Sequence, residues 1–215
     1  ETFGIKKTDK ITGEVIAEVE AGVGDKATAI SPDDEYLLCS EDNEFGLYSI
    51  KTGKLKQLFK GHTDEILCLA FNSTGDKVAS GSFDQNIKIW DTKEAYETQN
   101  LSGHKGEITC LAFSPAKNIL VSGSSDNTIK FWNSETGDLI KSLDEHTGRI
   151  NYLAFNRTGH LLLSASDDGS MKLWDAEKQE LMATIYCLKS SGDWVAVSPE
   201  GKFDGTPEGM KSLHV

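Results

Sequence analysis

The 215-residue chain is poor in arginine, in paired cysteine and in long apolar runs. Of its 22 basic residues only Arg149 and Arg157 are arginine, and arginine forks are the usual grip on phosphopeptides. Its 34 acidic residues leave a net charge of −12. Such a surface repels polyanions, which argues against general binding of nucleic acid or of anionic membrane surfaces. The longest uninterrupted apolar stretch, Ile66–Phe71, is far short of the roughly 20 residues that span a bilayer. Lys6, Lys7 and Lys10 are followed by no apolar segment of signal-peptide type. No initiator Met opens the chain, so a processed form or a part of something longer is expected. None of the four cysteines sits in a Cys-x-x-Cys pair, which leaves no zinc or redox motif, and no metal or cofactor is expected. Free structural thiols point to a reducing, cytoplasmic setting. Helical periodicity over eleven or more residues is absent as well, and the expected fold class is all-β.

What is present is repetition. His62, His104 and His146 stand 42 residues apart, and Ser80, Ser122 and Ser164 keep the same step. So do Asp84, Asp126 and Asp168, and Trp90, Trp132 and Trp174. A fixed period of this length is the mark of a stacked array. Each unit divides into four short strands. In one unit Ile66–Phe71 is a continuous apolar run of the kind covered on both faces. The turn Asn72–Asp76 follows, then a second strand Lys77–Ser82, the turn Phe83–Asn86 and a third strand Ile87–Trp90 with a period-two pattern. The outer strand is clearest in the next unit, at Asp138–Leu143 after Thr136-Gly137.

The sets Gly61-His62 with Ile89-Trp90-Asp91, Gly103-His104 with Phe131-Trp132-Asn133, and Glu145-His146 with Leu173-Trp174-Asp175 resemble WD40 repeats, the blades of a β-propeller. The resemblance implies an all-β propeller of about five blades' worth of four-stranded antiparallel sheets. Residues 1–19 read as a half-blade of outer strands and 20–60 as a degenerate blade in which Ala21, Cys39 and Tyr48 replace His, Ser and Trp. Residues 61–102, 103–144 and 145–186 read as three full blades, and 187–215 as a half-blade with a Gly/Pro-rich extension. Two readings of the ends stay open: the half-blades join into a small ring, or the chain is a segment of a larger, commonly seven-bladed one. An open array leaves bare sheet faces that need closure or a partner.

Ser, His and Asp are also the constituents of an acyl-transfer triad. Their threefold copying argues against catalysis, since an enzyme needs one activated nucleophile with one oxyanion hole. The resemblance implies instead that His62, Ser80, Asp84 and Trp90 form a structural tetrad, as do His104, Ser122, Asp126 and Trp132, and His146, Ser164, Asp168 and Trp174. No catalytic residue is expected. By the same resemblance, partners are held on the top face around the central entrance. Those positions are Glu65, Leu67 and Phe83; Glu107, Thr109 and Ser125; Arg149, Asn151 and Asp167; and, on the degenerate blade, Lys26 and Glu41. Leu67 and Phe83 would expose apolar area side by side within an acidic surround. The partner so implied is a peptide or loop with an apolar side chain and basic neighbours.

The tail from Asp193 to Gly209 resembles a segment of bacterial WD-repeat proteins that precedes, in some cases, a caspase-like or other effector domain. Cys187 and His214 lack the signatures of a catalytic pair, so an effector would lie beyond Val215. The function expected is a non-enzymatic interaction scaffold, alone or within a multi-subunit complex. The alternative is a sensor or regulatory module of a larger bacterial protease or signalling protein.

Overall fold

The structure, a computed structural model, describes residues 3–8, 15–21, 27–187 and 192–211. Its strands fall into five sheets. The hairpin β1 (Phe3–Thr8) and β2 (Val15–Ala21) is a sheet by itself. The first four-stranded sheet holds β3 (Thr28–Ile30), β4 (Tyr36–Glu41), β5 (Glu44–Ser49) and β6 (Leu55–Lys60). The second holds β7 (Ile66–Phe71), β8 (Lys77–Ser82), β9 (Asn86–Asp91) and β10 (Glu97–Ser102). The third holds β11 (Ile108–Phe113), β12 (Ile119–Ser124), β13 (Ile129–Asn133) and β14 (Leu139–Leu143). The fourth begins with β15 (Ile150–Phe155), β16 (Leu161–Ser166), β17 (Ser170–Asp175) and β18 (Glu180–Cys187). It continues into β19 (Trp194–Val197) and β20 (Phe203–Gly205), and a single helical turn, α1 (Pro207–Lys211), follows. Every strand pairing is antiparallel, in sequence order, as in propeller blades.

The sheets stack through their faces. Alternate strand residues point to opposite faces, so Val78 and Trp90 join a core with Leu38, Phe45 and Phe59 of the sheet before. Ala79, Ile87 and Ile89 join Ile108, Leu120 and Trp132 of the sheet after. Val121, Ile129 and Phe131 likewise meet Ile150, Leu162 and Trp174. Burial of each Val, Leu, Ile or Phe side chain among these contributes roughly 1.5–3 kcal/mol. Phe45 and Phe59 stack at 4.4 Å and turn their edges to Trp90. Gly81 and Gly123 sit where a Cβ would come within 2.5 Å of Ile108 and Ile150, so the sheets approach closely only because those positions lack a side chain.

Two expectations are modified. In β7 only Ile66 and Leu69 are buried, and the remaining four residues are half-buried. It is the edge strand of its sheet rather than a central one, with no strand on its inner side. The hairpin β19–β20, which by its sequence would open a further sheet, instead pairs with the outer edge of β18 through Thr184↔Val197 to Cys187↔Trp194. Among the described residues β1 and β2 pair with each other and not with that hairpin.

Candidate functional site

Each tetrad forms across three elements: the loop ahead of the first strand, the second strand, and the third strand with the turn that leads into it. His62 Nδ1 lies 2.7 Å from Asp84 Oδ2, and its Nε2 lies 2.7 Å from Ser80 Oγ. The Trp90 indole N–H donates to the same Ser80 Oγ at 2.8 Å. In the third sheet the corresponding distances are 2.9, 2.7 and 2.8 Å, and in the fourth 2.7, 2.8 and 2.9 Å. The network assigns each His as the Nδ1–H tautomer, donating to Asp and accepting from Ser. Each Asp is tied further: Asp84 accepts from the backbone N–H of Thr63 and Asn86.

Electrostatics follow from this geometry. Burial pushes the imidazoles of His62 and His146 below their ordinary value, against the opposing pull of Asp84 and Asp168. Burial also acts upward on Asp84, Asp126 and Asp168, but their hydrogen bonds outweigh it and hold all three carboxyls below the ordinary range. Neutral His beside anionic Asp is therefore the resting state of the His62–Asp84 and His146–Asp168 pairs. Asp, His and Ser stand in the order and at the distances of an activated nucleophile. Ser80, Ser122 and Ser164 are nevertheless 0 % exposed, and each hydroxyl is occupied by an indole N–H. A carbonyl carbon cannot approach them.

The rim is the accessible alternative. A bulge inserts Leu67, Thr109 and Asn151 as extra residues at the start of β7, β11 and β15. Bulges turn the inserted side chain out of the ladder's alternation. The N–H groups of Phe83, Ser125 and Asp167 donate to the carbonyls of Glu65, Glu107 and Arg149 at 2.8, 3.1 and 2.9 Å. The two sets of rim positions expected from the sequence thus stand side by side in the second, third and fourth sheets.

Their occupancy differs between blades. Arg149 forms an ion pair with Glu107 across the boundary of the third and fourth sheets. Asn151 Nδ2 donates to Asp167 Oδ1 at 2.5 Å, and Thr109 Oγ1 donates to the Ile150 carbonyl. On the second sheet Phe83 is 41 % exposed at the tip of its turn. Leu67 is half-buried, so the apolar surface there belongs mainly to Phe83. Lys26 lies outside the described residues.

Glu65, whose carbonyl accepts the Phe83 N–H, lines a shallow depression of about 490 Å3 together with Asp42, Asn43, Thr63 and Asp64. Glu41 lines an adjoining cavity of about 270 Å3, together with Asp42 and Asn43. Two bonds across the boundary of the first and second sheets fix its walls: Asn43 Nδ2 donates to the His62 carbonyl at 3.0 Å, and the Ile66 N–H to the Asp42 carbonyl at 2.8 Å. Asp42 and Asp64 were not among the sequence-derived rim residues. The signal for Asp64 lay in the repeat, whose two other copies have Gly106 and Gly148 at that place. Asp42 could not be found so, because its turn is one residue shorter than the others.

Among the described residues no group of three His, Cys, Asp or Glu side chains is placed to hold a metal ion. No helix of the described residues is long and apolar enough to cross a membrane.

The family profile described as "WD domain, G-beta repeat" matches residues 53–91, 96–133 and 137–175, together more than half of the chain. Periodic tryptophan protein 2 homolog of Schizosaccharomyces pombe is 35% identical over 65 residues, covering 29% of this chain and 8% of that protein. Intraflagellar transport protein 122 homolog of Mus musculus is 38% identical over 65 residues, covering 30% and 6%. THO complex subunit 6 homolog of Danio rerio is 37% identical over 68 residues, covering 31% and 21%. The matches therefore span about a fifth or less of these relatives, all three of them eukaryotic. The solved structure of U3-55K superposes with a TM-score of 0.71 at 21% identity, covering 86% of this chain and 62% of that one, a likeness of fold.

Proposed function

The chain belongs to the WD domain, G-beta repeat family, and on that premise we propose that it is a non-enzymatic scaffold that captures a protein partner on its top face, at Phe83. The observation that carries this reading is the pairing of an exposed aromatic ring with an acidic depression. Phe83 is bonded through its own N–H to Glu65, one of the residues lining it. A ring exposed on a turn whose backbone is bonded to one wall of a depression lined by Asp42, Asp64 and Glu65 suits a peptide or loop that offers an apolar side chain flanked by Lys or Arg. Apolar burial supplies affinity there, and charge complementarity supplies orientation and encounter rate. The corresponding positions of the third and fourth sheets have satisfied one another internally, through Arg149 with Glu107 and Asn151 with Asp167. Of the three corresponding turn residues Phe83, Ser125 and Asp167, Phe83 is the apolar one, and it is exposed. Relatives whose names include a complex subunit are in keeping with a protein partner. Four free thiols are in keeping with a reducing, cytoplasmic location.

A peptide array in which one apolar residue is flanked by Lys or Arg tests the reading. The wild-type chain should select from it, and Phe83→Ala should lose that selection at an unchanged melting temperature. Equal selection by both chains overturns the site.

A second reading, a regulatory module of a larger protein, is supported by β19 and β20, which extend the fourth sheet beyond its four-strand pattern. A longer reading frame carrying an effector domain after Val215 would favour it.

A further inference from the structure

At the strand ends opposite Phe83, successive sheets are tied by lysine and glutamate. Lys77 Nζ lies 2.6 Å from the Glu135 carboxylate across the second and third sheets, and Lys117 Nζ lies 2.8 Å from Glu177 across the third and fourth. In both cases the acid sits in the turn between the third and outer strands of the later sheet. The outer strand of the earlier sheet adds a bond to that turn, from Gln99 Nε2 to the Glu135 carbonyl and from Lys141 Nζ to the Gln179 carbonyl. Glu135 and Glu177 stand one repeat apart, and one repeat before Glu135 stands Lys93. At the boundary of the first and second sheets the acid is thus replaced by a base.

That boundary stays open as a crevice of about 160 Å3, which Lys93 shares with Tyr36, the residue that opens β4 as Lys77 opens β8. Among the described residues Lys93 forms no ion pair, not even with Asp34 at the place of Lys117, and Gln57, one repeat before Gln99, makes no bond to the next sheet. Lys56 Nζ donates to the Tyr36 hydroxyl at 3.0 Å and lies 4.1 Å from the centre of its ring. The proton of that hydroxyl has no acceptor among the described residues. The hydroxyls of Ser31, Thr74 and Thr92, by contrast, donate to Asp33, Asp76 and the Gly75 carbonyl. Asp33 is the carboxylate of the lining, and its Oδ1 accepts from Ser31 Oγ at 2.5 Å and from the Glu35 N–H at 3.0 Å. Lys56 and Lys93 together exceed it by one positive charge, within a chain of net charge −12.

A carboxylate answers this set of donors. It accepts several hydrogen bonds at once, and those from ammonium groups are the strong kind. Its single charge matches the surplus, whereas a phosphate group brings nearly two and meets Asp33 as well. The small volume admits one acidic side chain or chain end rather than a drug-sized ligand. The repeat itself supplies the precedent, since Glu135 and Glu177 set carboxylates on lysines at the two other boundaries. A lone exposed lysine pair is worth little, but here the Tyr36 hydroxyl and a second ammonium converge on one space.

We infer that the crevice between Tyr36 and Lys93 is a binding site for a carboxylate of a protein partner, offered by an acidic side chain or a free C-terminus, and that it is separate from the Phe83 face. Three short peptides test this: an amino- and carboxyl-blocked glycine pentapeptide with a central glutamate, the same peptide with glutamine, and an N-acetylated pentaglycine with a free carboxylate. Binding is read from the NMR shifts of the Tyr36 and Thr92 amides of the labelled chain. Saturable shifts should appear with a carboxylate peptide, the tighter of the two naming the source, and the glutamine peptide should bind about tenfold more weakly. Lys93→Glu, which restores the acid of the later blades and so keeps the fold, should weaken binding about tenfold at an unchanged melting temperature. Tyr36→Phe, which keeps the ring, should weaken it about threefold. Phe83→Ala should leave it unchanged, so that failure of this site and failure of the top-face reading are told apart. Equal binding of the glutamine peptide, no saturation with either carboxylate, full binding by Lys93→Glu, or displacement by inorganic phosphate at equal concentration overturns the proposal.

Discussion

Trp90 and Ser80 are joined by a 2.8 Å hydrogen bond that decides what the second blade can do. The indole N–H occupies the oxygen that a hydrolase would need as nucleophile, and both side chains are buried. Asp84, His62 and Ser80 consequently act as a strut between the loop ahead of the blade, its second strand and its third strand.

Replacement of Ser80 by Ala should therefore be costly for stability and irrelevant to chemistry. It would leave the Trp90 N–H and His62 Nε2 buried without partners, each at roughly 1–3 kcal/mol. Urea denaturation should show a loss on the order of 3 kcal/mol, and a fluorophosphonate probe should label neither protein. Labelling of the folded wild-type chain at Ser80, Ser122 or Ser164 would refute the strut.

The packing of successive sheets makes a second prediction. Gly81→Ala and Gly123→Ala should each destabilise by about 1–3 kcal/mol, because the added carbon meets the isoleucine of the next sheet. Ala165→Gly at the same place on the fourth sheet, where the residue is half-buried, should change stability by less than either. Similar losses at all three positions, read from thermal melts, would mean that the close approach is not what requires glycine.

Acid should weaken the fold in two steps. His62 and His146 are held below the ordinary histidine value by burial, so the unfolded chain binds more protons than the folded one below about pH 6.5. Their contribution is complete above that value and declines as pH falls. Asp84, Asp126 and Asp168 are also held low, and their contribution declines below about pH 4. Relief of the −12 net charge works in the opposite direction as pH falls toward the pI near 4.8. The histidine step is isolated by comparing the wild type with a His62→Gln, His146→Gln variant. The stability lost between pH 7.5 and 5 should be smaller in the variant, and identical slopes would contradict the assignment.

On the rim, Arg149→Ala should cost less than about 1 kcal/mol, since the guanidinium is 40 % exposed and its pair with Glu107 is partly solvated. If the top-face site lies on the second sheet, Arg149→Ala should also leave peptide selection intact, whereas Asp64→Ala should weaken it. Loss of selection in Arg149→Ala alone would move the site to the third and fourth sheets.

The 42-residue period alone carried the blade architecture. Three copies of His, Ser, Asp and Trp at fixed offsets specify which strand each occupies, because hydrogen bonding within a blade is local in sequence and copied with it. Strand limits at Ile66–Phe71 and Lys77–Ser82 were legible from apolar runs and turn residues. The turn and bulge positions of the second, third and fourth sheets were legible from the repeat, but not what their side chains meet. Glu107 and Arg149 stand one period apart in sequence, and only the stacking of the third and fourth sheets turns them toward each other as an ion pair. Asp42 joins Asp64 and Glu65 in a depression through the packing of two different blades. The crevice between Tyr36 and Lys93 likewise takes its lining from two blades, and neither turn alone encodes it. Sequence determined the blades because their bonds are short-range. Tertiary structure decided the surfaces between blades, because a contact between two blades depends on both at once.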